Sequence, residues 1–146
     1  MNIENIKSKL QTLDPNAEPE FGVMTPQHMI EHLILTVKLS YGRIKIPHFE
    51  PTEKQLQQKK TLLYELDEFP KGIRAPGLGD NLLPLRFQSL DEANNELLES
   101  IEKYKEHFKE QPNSTPIHPR FGGLNKSEWD LFHTKHFKHH LSQFGL

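Results

Sequence analysis

The 146-residue chain has no cysteine. Disulfides, thiolate metal ligands and cysteine nucleophilic catalysis are excluded together, so any metal held by this protein takes nitrogen and oxygen ligands. No apolar run reaches the roughly 18 residues needed to span a bilayer. The opening stretch MNIENIKSKLQTLDP lacks the apolar core of a signal peptide. An excess of positive charge is missing too: 18 Lys and Arg against 20 Asp and Glu give a formal net charge of -2. That provides no basic field to hold a phosphate backbone, so no nucleic-acid partner and no membrane partner is expected. The expectation is one domain over residues 1–146, cytoplasmic and soluble, with 34% hydrophobic residues to build a core.

Nothing in the sequence reads as a convincing strand. The spacing predicts four longer helices plus a short N-terminal one. The short one covers Asn2 to Leu13, with Ile3, Ile6, Leu10 and Leu13 on one face and Asp14-Pro15 as a stop. The next opens at Thr25-Pro26, a capping residue followed by proline at the first helical position, and runs to about Tyr41. Its apolar side chains cover most of its circumference, which predicts a central helix, with Gln27, Glu31 and Lys38 on the remaining side. Another starts at the Thr52/Gln55 capping pattern and runs through KQLQQKKTLLYEL. A fourth opens at Ser89/Glu92, and the last at Asn125/Glu128, running to about Phe144. Two long loops, 68–88 and 110–124, are rich in proline and glycine and lie in the second half of the chain. The fold class expected is all-α, a helical bundle.

What the chain does have is histidine: nine in all, four of them in the closing stretch HTKHFKHHLSQFGL. At about 100° per residue, Trp129, His133, His136, Phe137, His140 and Phe144 share one stripe of the last helix, while His139 falls on its polar flank. His139 is therefore expected to be solvated. An unpartnered imidazole in a core costs on the order of 1–3 kcal/mol, and a shared metal ion would remove that penalty. His136 and His140 stand at i and i+4, about 5–6 Å apart and within reach of one ion. His32, on the apolar circumference of the second long helix, is the best third ligand. His28, one turn earlier, lies closer to the edge. His133 is inward and open to three roles: completing the site, hydrogen-bonding a ligand from outside, or a satisfied core histidine. His48, His107 and His118 show no pattern and are expected at the surface or in loops.

The stretches MTPQHMIEHL and KHFKHHLSQFGL resemble the DinB-like superfamily of DinB/YfiT-type four-helix bundles. That superfamily has one inward histidine on its second helix and a His-x-x-x-His pair on its last. The resemblance maps His32, His136 and His140 onto the metal triad, and Gln143 onto the glutamine that often follows the pair. FPKGIRAPGLGD and HPRFGGLNKSEWDLFHTKHFKHHLSQFGL are similar to a small branch known only as a domain of unknown function, and this likeness covers essentially the whole chain. It implies a bundle with a divalent metal, often zinc or nickel, at the end of a cavity; histidine nitrogens by themselves also suit iron. It also implies chemistry on low-molecular-weight thiols, as in the superfamily's transferases and isomerases; other members have no known activity.

Three neutral histidines leave at least one coordination position open, the arrangement of catalytic rather than structural zinc sites. Such a site activates a thiol or a water near neutral pH. With the resemblance, a metal-dependent thiol S-transferase is expected ahead of a hydrolase, the alternative being a non-catalytic stress-response or binding module with a structural metal or none. No general acid or base is evident, since Glu31 and Asp130 are placed outward. Arg74, His118 and Arg120 lie in loops that could meet an anionic group, although loop solvation is the commoner role. Gly77-Leu78-Gly79 lacks the strand and third glycine of a nucleotide motif. Pairing into a homodimer is left open, as is the substrate.

Overall fold

The computed structural model describes residues 1–72 and 82–146. Arg74 and Gly77-Leu78-Gly79 lie outside the described residues. Among those described there are five α-helices: α1 (Ile3–Thr12), α2 (Pro26–Ser40), α3 (Glu53–Lys60), α4 (Leu90–Glu110) and α5 (Lys126–Ser142). A two-stranded antiparallel pair, β1 (Ile117–His118) and β2 (Gly122–Gly123), precedes α5. The molecule is mostly helical.

The helix starts follow the capping chemistry. Asn2, Thr25, Thr52, Ser89 and Asn125 each accept a hydrogen bond from a backbone N–H of the first turn. The capping boxes at Thr52/Gln55 and Asn125/Glu128 are complete in both directions. At α4 only half of the expected box forms: Ser89 caps Glu92, but the Glu92 carboxylate accepts from Gln88, one residue upstream.

α2 is the central helix. Met29, Ile30, Leu33, Ile34 and Val37 are wholly buried, and α2 packs chiefly along α4 through Ala93, Leu97 and Ile101. Ile6 and Leu10 of α1 join the same core. Glu31 corrects the sequence reading. It is only 4% exposed, and its carboxylate accepts from Gln27 Nε2, the Arg86 backbone N–H, Arg86 Nε and the Phe87 N–H. Burial raises its pKa, yet those donors outweigh burial and hold it below the usual carboxylate range. Helical spacing could not anticipate this, because the partners lie 55 and 56 residues downstream in a loop. Glu31 pins that loop to α2.

The third predicted helix also differs. α3 ends at Lys60 and the chain continues as one π turn over Thr61–Glu65, closed by the Leu66 N–H donating to Thr61 O at 2.9 Å. The wider turn sends Leu62 and Leu63 into the core. Its loose carbonyls are gathered by the Lys135 ammonium of α5, which donates to Leu62 O, Leu63 O and Leu66 O at 2.9, 2.7 and 2.5 Å. The strand pair departs from the all-helical expectation, because two residues per strand carry no readable period. Its turn depends on Gly122 at φ +78°, where a Cβ would sit 2.6 Å from Pro51 Cγ.

Candidate metal centre

The last helix presents its histidines as its pattern requires. His136 and His140 are one turn apart on the buried face of α5, and His32 meets them from the middle of α2. His136 Nε2 lies 3.0 Å from His32 Nε2 and 3.0 Å from His140 Nε2. Each of the three offers a ring nitrogen, all within 4.8 Å of one another. A tetrahedral ion with bonds of 2.0–2.1 Å would hold its nitrogens roughly 3.3 Å apart, close to the two 3.0 Å separations about His136.

Burial decides the charge state. His32 is pushed down to about 4 by desolvation, with the nearby His139 adding to it. His140 is pushed to about 3 by desolvation and then by His32, although the Gln143 hydrogen bond acts in the opposite direction. His136 is lowered well below its ordinary value by desolvation and then by its histidine neighbours. All three rings are neutral at neutral pH, which is the state that binds a metal.

Gln143 fixes one tautomer. Its Oε1 lies 2.9 Å from His140 Nδ1. A carboxamide oxygen accepts, so Nδ1 carries the hydrogen and the Nε2 lone pair faces the trio. Gln143 itself is held closely: a Cβ on Gly22 would come within 2.7 Å of its Nε2, and Gly22 sits at φ +80°. The two 3.0 Å contacts then conflict in a neutral trio. His136 Nε2 must carry a hydrogen to bond the bare His140 Nε2, and that hydrogen cannot also serve His32. One bound ion accepts three lone pairs at once and removes the conflict. His136 Nδ1 has no partner among the described residues.

The other predicted residues fall outside the trio. His133 is wholly buried and stacked on Trp129, with Nε2 at 2.7 Å from Ser40 Oγ. Ser40 donates its own hydrogen to Val37 O, so His133 Nε2–H is the donor and Nδ1 is left without a partner. His28 Nδ1 contacts Thr25 Oγ1 at 2.6 Å, at the N-terminus of α2. His139 is half-buried rather than solvated, edge-on to Phe21 and hydrogen-bonded to the Phe69 backbone. Asp130 is half-buried as well, accepting from Tyr104 Oη and Lys126 Nζ at 2.5 and 2.7 Å.

His118 was expected in a loop or at the surface. It lies in β1 at 5% exposure, stacked on Phe121 and edge-on to Phe132. The backbone N–H groups of Arg120 and Phe121 donate to its Nδ1 at 3.0 and 3.3 Å, so Nε2 carries the hydrogen. Burial first, then Arg120, pushes its pKa to about 3. A lone histidine beside His-Pro-Arg gives no periodic signal of such burial.

The trio opens on a cavity of about 660 Å³, which His118 and Arg120 also line. Phe21, Met24, Leu35, Leu62, Phe69 and Phe132 line it together with Lys71, Arg86 and His28. The volume suits a small-molecule site. α2 is apolar nearly all round for this reason: one side faces the core, while Leu35 and Leu39 face the cavity.

Among known families, a model described as a protein of unknown function (DUF1569) matches residues 80–145. That stretch carries His118, His136, His140 and Gln143, and leaves out His32. No curated protein matches the chain, and no solved structure matches it. Among the described residues, no helix is long and apolar enough to cross a membrane.

Proposed function

We propose that this protein is a metal-dependent enzyme in which His32, His136 and His140 hold a divalent ion with at least one position open toward the cavity. The observation that carries the reading is the convergence of three neutral imidazole nitrogens whose mutual contacts cannot all be hydrogen bonds. A divalent ion held by these three residues would supply Lewis-acid chemistry, bringing the pKa of a thiol or water at the site toward neutral. We favour a thiol S-transferase over a hydrolase, within a four-helix bundle of DinB-like type. The chain's own part is to keep the imidazoles neutral by burial, to orient His140 through Gln143, and to shield the site with the apolar wall. Zinc and nickel suit nitrogen ligands, and iron is also compatible.

A binding module without catalysis is the second reading. It is favoured by one feature: the carboxylates of Glu31 and Asp130 are both engaged away from the trio, leaving neither as a general base. Metal analysis of protein purified without a tag, wild type against His136→Ala, comes first. The proposal requires near-stoichiometric metal in the wild type and its loss in the variant. Absence of metal uptake, with no difference in stability between the two, refutes the site. A panel of thiols and electrophiles then separates enzyme from binding module; turnover that survives chelation would contradict the mechanism.

A further inference from the structure

We propose that His118 is a binding point of its own in the cavity, its Nε2–H receiving the carboxylate of a small molecule with an apolar body. The proposal needs no ion at the imidazole trio, so it stands or falls apart from the reading above. The tautomer is its first support. His118 Nδ1 accepts from the backbone N–H groups of Arg120 and Phe121 at 3.0 and 3.3 Å, which commits that edge of the ring to the turn between β1 and β2. With the Nδ1 lone pair used there and the hydrogen on Nε2, the ring has no lone pair left for an ion and can only donate. Phe121 stacked on it and Phe132 edge-on, both at 4.5 Å, hold the ring in that pose.

The free edge is the second support. His118 is 5% exposed and lines the cavity, yet its Nε2–H has no partner among the described residues. A buried donor left unpaired is costly, and an oxygen of a ligand in the cavity relieves that cost. Charge is the third. Among the described residues the lining carries Lys71, Arg86 and Arg120 against one carboxylate, Glu31. Arg86 Nε already lies 3.3 Å from Glu31 Oε1, so the lining keeps a positive excess in a chain whose net charge is -2. A carboxylate fits this pairing, one oxygen accepting from Nε2–H and the charge answering the cations. A phosphate would bring more hydration than one N–H replaces. The apolar body lies against Leu35, Leu62 and Phe69 of the same wall.

The test is calorimetric titration of full-length protein, as purified and again in EDTA, with phenylacetate and its neutral equal in shape, phenylacetamide. Phenylacetate should bind more tightly than the amide in both conditions. His118→Asn keeps an oxygen near the position of Nδ1 for the two backbone N–H groups and has nothing at Nε2. It should weaken phenylacetate about tenfold or more, the loss expected for a hydrogen bond to a charged acceptor. Long-range proton–nitrogen NMR on labelled wild type reads the same group without a substitution: His118 should be protonated on Nε2, and that resonance should move as phenylacetate is added. An Nδ1-protonated ring, or an Nε2 resonance that stays still at saturating ligand, overturns the proposal, as does the absence of binding at millimolar phenylacetate. Binding that disappears in EDTA and is unchanged in His118→Asn places the carboxylate on the metal, so the proposal is wrong while the metal site stands. Binding that depends on His118 in a protein that takes up no metal supports the proposal and refutes the metal reading.

Discussion

His136→Leu should make the metal-free protein more stable and the zinc-loaded protein less so, a crossing that follows from the geometry. His136 is 7% exposed, and its Nδ1 has no partner. Leaving a buried polar atom unsatisfied costs about 1–3 kcal/mol, which leucine relieves against the surrounding Phe132 and Phe69 rings. Against this, the variant loses contacts at 3.0 Å to His32 and His140, of which only one can be a hydrogen bond in a neutral trio, worth about 1 kcal/mol. His140 keeps Gln143, and His32 lies at the cavity wall. The difference is about 1 kcal/mol in favour of the variant, or roughly 2–4 °C in Tm for a chain of this size. Zinc at a hundred times its Kd adds ~2.7 kcal/mol to the wild type. With one ligand removed, the variant gains little. Thermal unfolding followed by circular dichroism, in EDTA and then in excess zinc, reads both halves. The reasoning is refuted if the variant is clearly less stable than wild type in EDTA, which would make the trio a structural hydrogen-bond cluster, or if both proteins shift equally with zinc.

Gln143→Ala removes the acceptor that fixes the His140 tautomer, and zinc affinity by competition with a chromophoric chelator should fall about 10- to 100-fold. Gly22→Ala should push on the same amide and strain a φ of +80°. It should lower stability by ~1–2 kcal/mol in urea titration and weaken zinc binding without altering any ligand. For pH, burial drives the pKa of His133 to about 3, with Asp130 opposing and the N-terminal charge reinforcing. Between the unfolded value near 6.5 and about 3, the unfolded chain binds the extra proton. Stability is therefore complete above pH 6.5 and falls as pH drops, by up to ~1.4 kcal/mol per unit for one such histidine. A urea midpoint that is flat from pH 7 to 5, or a slope unchanged in His133→Leu, would contradict this. Lys135→Met leaves three carbonyls of the π turn without their ammonium donor and should cost about 1–3 kcal/mol in urea unfolding.

Local chemistry in the sequence determined the helix starts, the central position of α2 and the inward stripe of α5. Each depends on contacts within four residues: Thr25 capping His28, Asn125 capping Glu128, His136 one turn before His140. Periodicity also singled out His32, since its place on an apolar circumference is a property of the helix alone. The tertiary structure decided what those side chains meet. Glu31 looked solvent-facing until Arg86 and Phe87 were folded onto it, and His118 looked like a loop residue until β1 placed it between Phe121 and Phe132. His133 stood open between three roles, and the position of Ser40, 93 residues away, aims its Nε2 away from the trio. Lys135 reads as an ordinary helix cation, yet it closes a π turn some seventy residues earlier in the chain. Helical spacing reports which face a side chain occupies. The partner across that face is set by long-range packing, for which a single sequence has no period.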